Sequence, residues 1–286
     1  SSHFRSSHLV PGFQPRPASA QRSAMEQPLE FEILGGNLQA IRFTLRKGQV
    51  VIGEAGSMLF MDDGISFECK LGDGSPANPQ SQNSSGGWFK MIKTAFQRIL
   101  TNESIFFTWF TNTASVPRVL AVAAPRIGTI IQVNLHELPQ STILAQGGAF
   151  LCSSAGVKLQ VELVRKFGAG FFGGEGFLLQ RLSSAEGYPG QLFIHAGGYI
   201  TRLEIKNEEL TVDCGCLMAF TLGIDYEVGV AGLKNAFVGG EMFTAKLRGT
   251  GSVWVQSLPF SKYADRIINS IPKASDDAGG GDGGGE

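Results

Sequence analysis

Residues 56–68, Gly56-SMLFMDD-Gly64-ISFE, decide the fold, because the same frame returns twice. Residues 148–160 read Gly148-AFLCSSA-Gly156-VKLQ and residues 215–227 read Gly215-CLMAFTL-Gly223-IDYE. Each is a glycine, one free position, two apolar residues, four variable residues and a second glycine. Ile or Val, a free position, an apolar residue and Glu or Gln then follow. One such glycine pair carries no information; three in order, with matched apolar positions, are the signature of internal repetition.

Two further landmarks follow each frame. Glu103 stands in TNESIFF, Glu175 in GGEGFLL and Glu241 in GGEMFTA, each after Thr-Asn or Gly-Gly, pairs suited to a turn with positive φ. A short apolar strand comes next: residues 118–122 (RVLAV), 191–194 (QLFI) and 252–255 (SVWV). Ile41, Phe43 and Leu45 alternate with polar neighbours, as do Ile131, Val133 and Leu135, and Leu203 and Ile205. Period two puts one face of a strand in a core and the other in water. The expected organisation is a β domain over 29–260, in copies spanning about 30–125, 126–195 and 196–260, each of about five short strands. The first copy carries an extra polar loop, Gly72–Gly87. A unit of this size buries too little apolar surface alone, so the copies must share a core and cover one another's edges. The expected fold class is all-β, three tandem repeats with approximate threefold symmetry plus one short amphipathic helix. Such symmetry extends naturally to a homo-oligomer.

Composition narrows the function. The formal net charge is −1 and 17% of residues are charged, so no global field favours nucleic acid or an anionic surface. The 38 glycines and 21 phenylalanines fit many turns and short aromatic strands. No apolar run reaches the roughly 18–20 residues of a membrane-spanning helix. Cys69, Cys152, Cys214 and Cys216 are too sparse for a disulfide framework and point to a reducing compartment. Cys214 and Cys216 have no Cys or His nearby to complete a metal site, and small strand residues at a turn is the simpler reading.

The candidate chemistry is thin. Glu103, Glu175 and Glu241 would converge on a cation if the copies pack around an axis, but a carboxylate bonding the amides of its own turn is preferred. Only His136 and His195 lie outside the head, and neither sits in a nucleophile context. KFGAGFFGGEGF lacks the ending of a phosphate loop. The expectation is therefore no catalytic residue, no metal and no cofactor. Trp88–Leu100 (WFKMIKTAFQRIL) is a basic amphipathic helix pattern, with Trp88, Ile92, Phe96 and Leu100 on one face and Lys90, Lys93 and Arg98 charged. It reads either as a helix capping the sheet or as a contact for a membrane or partner. The head, 1–28, is expected to be disordered. Its first 24 residues are rich in Ser and Arg and lack acid, which fits a transit peptide; equally, Met25 is a start and the preceding residues are upstream sequence. The tail, 261–286, ends in a glycine-rich stretch expected to be disordered.

GEAGSMLFMDDGI, the GGEGF and GGEMF turns and VWVQSLP resemble the mitochondrial-biogenesis family of the altered-inheritance-of-mitochondria type, over about residues 29–260. The resemblance implies three repeats, each like the subunit of the tryptophan RNA-binding attenuation protein (TRAP), of double-stranded β-helix or β-sandwich type. It implies a trimer and a mitochondrial role, and it supplies no catalytic residue. The repeated Lys/Arg cluster that an RNA-binding relative needs is missing. The expected function is a homo-oligomeric assembly protein supporting organelle biogenesis, with itself and further proteins as partners. The alternatives are an RNA- or small-ligand-binding module and a peripheral membrane protein. A mitochondrial location is expected, with plastid and cytosol left open.

Overall fold

The computed structural model describes residues 19–71, 106–124, 126–165, 177–230 and 243–270. Glu103, Glu175 and Glu241, and the pattern containing Trp88, Lys90, Lys93, Phe96 and Arg98, lie outside these residues. The protein is mostly antiparallel β-sheet. Seven strands come first: β1 (Glu30–Leu34), β2 (Ala40–Leu45), β3 (Val50–Glu54), β4 (Met58–Met61), β5 (Ile65–Leu71), β6 (Phe106–Asn112) and β7 (Arg118–Ala123). The middle of the chain holds β8 (Thr129–Asn134), β9 (Thr142–Gln146), β10 (Phe150–Ser154), β11 (Val157–Arg165), β12 (Phe177–Ser184) and β13 (Gln191–Ala196). Four strands close the domain: β14 (Ile200–Asp213), β15 (Leu217–Thr221), β16 (Ile224–Val230) and β17 (Phe243–Gln256).

One pairing scheme governs all of them. β7 lies between β2 and β4, and β6 between β3 and β5. β13 lies between β8 and β10, and β12 between β9 and β11. β17 does both tasks in one strand: its second half lies between β14 and β15, its first half between β14 and β16. The first stretch thus uses seven strands, β1 flanking β2, and the second six, where the sequence predicts about five. The last uses four, because β14 and β17 run through where the others turn.

Two junctions join the stretches. β3 pairs with β10, Gly53 opposite Cys152; β9 pairs with β15, Ala145 opposite Ala219. The register is the same at both: the residue three before one landmark glycine meets the residue four after the next. Alternation explains why the junction strands are sealed. Val51 points into a core with Phe43 and Leu120, while Val50 and Ile52 enter the next core with Val133 and Ile194. Ile143 and Ala145 fill that second core, while Leu144 enters a third with Phe220 and Leu247. A strand between two cores reads as a continuous apolar run, without polar alternation.

Residues 19–28, expected to be disordered, are ordered. Ser19–Met25 forms α1, and Met25 and Leu29 are buried. Their apolar side chains find the domain surface, and Gln191 clamps the chain by accepting from the Leu29 amide at 2.6 Å and donating to its carbonyl at 3.1 Å. Phe260–Ser270 forms a second helix, α2, which the sequence reading leaves in the tail. Pro259 opens it, and Phe260, Ala264, Ile267 and Ile268 share one side.

Candidate functional site

Five of the six landmark glycines sit in turns only glycine adopts easily: Gly56, Gly64, Gly148, Gly156 and Gly223 have φ between 82° and 95°. At Gly156 space is a second constraint, since a Cβ would lie 2.2 Å from Cγ of Tyr188. Gly215 differs: it is absent from the positive-φ residues, and its amide donates to Asp213 Oδ1 at 2.9 Å. These glycines are turn architecture, and what they turn into contact is the edge strands.

The strand after each first glycine is β4, β10 or β15. In each, the residue three after the glycine (Leu59, Leu151 or Met218) is bulged out of the pairing with the neighbouring strand. Their surroundings then diverge. Every residue of β10 and of β15 is buried. On β4, Met58, Leu59 and Phe60 are 46%, 56% and 47% exposed. The cause is topological. β10 is covered by β3 and β15 by β9, whereas β4 pairs with β7 alone among the described residues, and its other edge is open. At the far end of the sheet that holds β9, β15 and β17, β14 pairs with β17 alone among the described residues, and its outer edge is open there too. Met58, Leu59 and Phe60 thus form an exposed apolar patch beside backbone that is unpaired among the described residues.

A cleft of about 390 Å³ lies where the third sheet meets α2. Leu178, Met218, Phe260 and Ile268 supply apolar walls, and Arg126 and His195 polar ones. β13 places His195 there: its backbone amide donates to the Ala149 carbonyl at 2.7 Å, fixing the strand against the Gly147–Gly148 turn. His195 is 3% exposed, and neither ring nitrogen makes a well-formed hydrogen bond. Burial, and then the charge of Arg126, push its pKa down to about 4, with the Arg126 carbonyl acting weakly the other way. The imidazole is therefore neutral at physiological pH, with one donor and one acceptor. Arg126 donates to the Gly148 carbonyl. Glu54, at the end of β3, is pushed up to about 7 by burial, which the Arg126 charge partly offsets.

The other residues singled out by sequence are settled in ordinary roles. His136 is tied down by Ser141 Oγ at 3.1 Å and the Tyr188 carbonyl at 2.6 Å. Cys214 is buried with its thiol pushed up to about 12, burial first and Asp213 second; Cys216 is raised for the same reasons. Neither holds a thiolate at neutral pH. Among the described residues no group of three or more His, Cys, Asp or Glu is placed to hold a metal. Sequence reasoning missed the cleft because Arg126, His195 and Phe260 come from distant segments with no shared motif.

The fold and its neighbours agree with this geometry. The chain is similar to the crystal structure of protein SPYM3_0169 from Streptococcus pyogenes, with a TM-score of 0.63 at 19% identity, over 85% of this chain and all of that one. It is 24% identical over 237 residues to the uncharacterized protein M6_Spy0233 of Streptococcus pyogenes serotype M6, covering 82% of this chain and 88% of that protein. The family described as mitochondrial biogenesis AIM24 matches residues 31–258. With most of its length so matched, the chain belongs to the mitochondrial biogenesis AIM24 family.

Proposed function

We propose that the protein is a non-catalytic scaffold of three tandem TRAP-like copies with approximate threefold symmetry, which joins further copies of itself and supports mitochondrial biogenesis from within the organelle. The recurring pairing scheme and the shared register of the two junctions support the three-copy reading. The observation that carries self-assembly is β4, whose apolar residues are exposed where their counterparts on β10 and β15 are covered by a neighbour's strand. A second copy supplies such a strand from the open edge of β14. Carried over to that pairing, the register of the internal junctions would set Val212 opposite Phe60, Thr211 opposite Met61 and Leu210 opposite Asp62. Head-to-tail joining of this kind closes into a ring when the rotation permits.

This junction is weaker than the internal ones. Where β3 sends Val50 and Ile52 into the next core, β14 has Glu209 and Thr211. Glu209 is engaged with Arg248 at 2.6 Å on the surface. Backbone pairing and the apolar face of β4 remain, without the apolar insertion that Ile52 and Leu144 make at the internal joins. Light scattering at micromolar concentration tests the reading: a single assembly, most simply a trimer, is expected, falling to monomer in Leu59→Lys. A wild-type monomer under those conditions overturns it.

A second reading, small-ligand binding, is favoured by one observation, the buried ring of His195 in the cleft, which makes no well-formed hydrogen bond.

A further inference from the structure

We propose that the cleft beside α2 binds a small monocarboxylate with an apolar body, its charged end held by Arg126 and His195. The two ends of the cleft differ in chemistry. Leu178 and Met218 are buried apolar floor, while Phe260 and Ile268 of α2 face the same space yet stay 54% and 64% exposed. An apolar ligand body packed between floor and helix removes that area from water. The polar end carries a buried imidazole whose nitrogens make no well-formed hydrogen bond in the protein, the Arg126 carbonyl acting on the ring only weakly. Leaving such a group unbonded is costly, and a ligand oxygen bound to it relieves the cost.

The choice of an anion follows from Arg126. Its guanidinium uses one N–H on the Gly148 carbonyl, and the planar fork retains other donors. A carboxylate accepts from that fork and from the imidazole N–H with two charged oxygens, and a neutral amide or alcohol has neither the charge nor the second acceptor oxygen. Asp265 on α2 and Glu54 at the end of β3 are the nearby acids. They disfavour a second negative charge, which restricts the ligand to one. The volume, about 390 Å³, suits a compact metabolite and is at the small end of ligand pockets.

Octanoate is the probe and octanamide its uncharged counterpart. Calorimetry on the whole chain is expected to show saturable octanoate binding, weakened about tenfold or more by Arg126→Gln and in the amide. Titration followed by NMR is expected to move the Cε1–H resonance of His195 in the unmodified protein, a readout that requires no variant to fold. Absence of saturable octanoate binding overturns the proposal. So does equal affinity for octanamide, or a His195 resonance that stays still at saturation. Assembly through β4 is unaffected by any of these outcomes, because the cleft and that edge share no residue.

Discussion

β4 and β15 begin from the same sequence frame and end in opposite environments. Each follows a landmark glycine, carries apolar residues and bulges three residues after that glycine, yet β15 is buried throughout and Met58–Phe60 of β4 are not. Local sequence sets the strand, and position in the chain sets its burial. A middle or last stretch has a predecessor whose strand covers it, and the first has none. An unsealed first edge and a polar last edge are what two such junctions leave at the ends of the described sheets.

The comparison is broken most severely by a charge. Leu151, Met218 and Leu59 are equivalent positions, buried, buried and exposed. Leu151→Lys and Met218→Lys are expected to cost more than about 4 kcal/mol each, enough to abolish folding, because the ammonium has no partner inside. Leu59→Lys is expected to stay within about 0.5 kcal/mol by thermal unfolding. Equal destabilisation at all three would erase the distinction between sealed and open edges.

A smaller effect tests what sealing does to a carboxylate. Glu54, Gln146 and Asp213 stand two residues before successive landmark glycines. Asp213, at the open end, is held by Lys262 at 2.9 Å, whereas Glu54 is enclosed and pushed up to about 7. A raised folded-state pKa means that the native state binds the proton more tightly than the unfolded chain. Stability is then present below about pH 4.5 and lost as pH rises through 7. Glu54→Gln, which copies Gln146, is expected to stabilise by on the order of 1–3 kcal/mol at pH 8 and by nothing below pH 4.5. Urea unfolding at the two pH values checks this. His195 acts in the other sense: its folded pKa is lowered, so its contribution is kept above 6.5 and lost as pH falls toward 4.

The smallest change sharpens the comparison. Thr211 occupies the position of Ile52 and Leu144. Thr211→Ile is expected to tighten self-association about tenfold by restoring one apolar insertion at the weak junction. Sedimentation equilibrium measures it; unchanged association would mean that β14 is not the strand that covers β4.

Much of the sheet was legible because alternation is a local signal. Ile41, Phe43 and Leu45 are all fully buried between exposed or half-buried neighbours. The junction strands were harder, since Val50–Ile52 and Ile143–Ala145 are apolar on both faces and carry no period. Helix α2 had its stripe in plain view, but eleven residues beside a glycine-rich tail make a weak signal. The cleft was invisible for a different reason. His195 is one histidine on an apolar strand, and only the packed structure shows that its ring meets Arg126 without a well-formed hydrogen bond. Glu103, Glu175 and Glu241, the most tempting trio in the sequence, lie outside the described residues.

The uninterrupted length of β14 and β17 has a consequence for how the molecule opens. Elsewhere the two hairpin layers are separated by turns, at 46–49 and 135–141, and either can fray alone. In the last stretch the ladder runs from Ile200 opposite Gln256 to Asp213 opposite Thr244, broken only by the bulge at Asn207. Its amide protons should therefore exchange with deuterium as a single block, and the carboxy-terminal third should behave as the staple whose release precedes global unravelling.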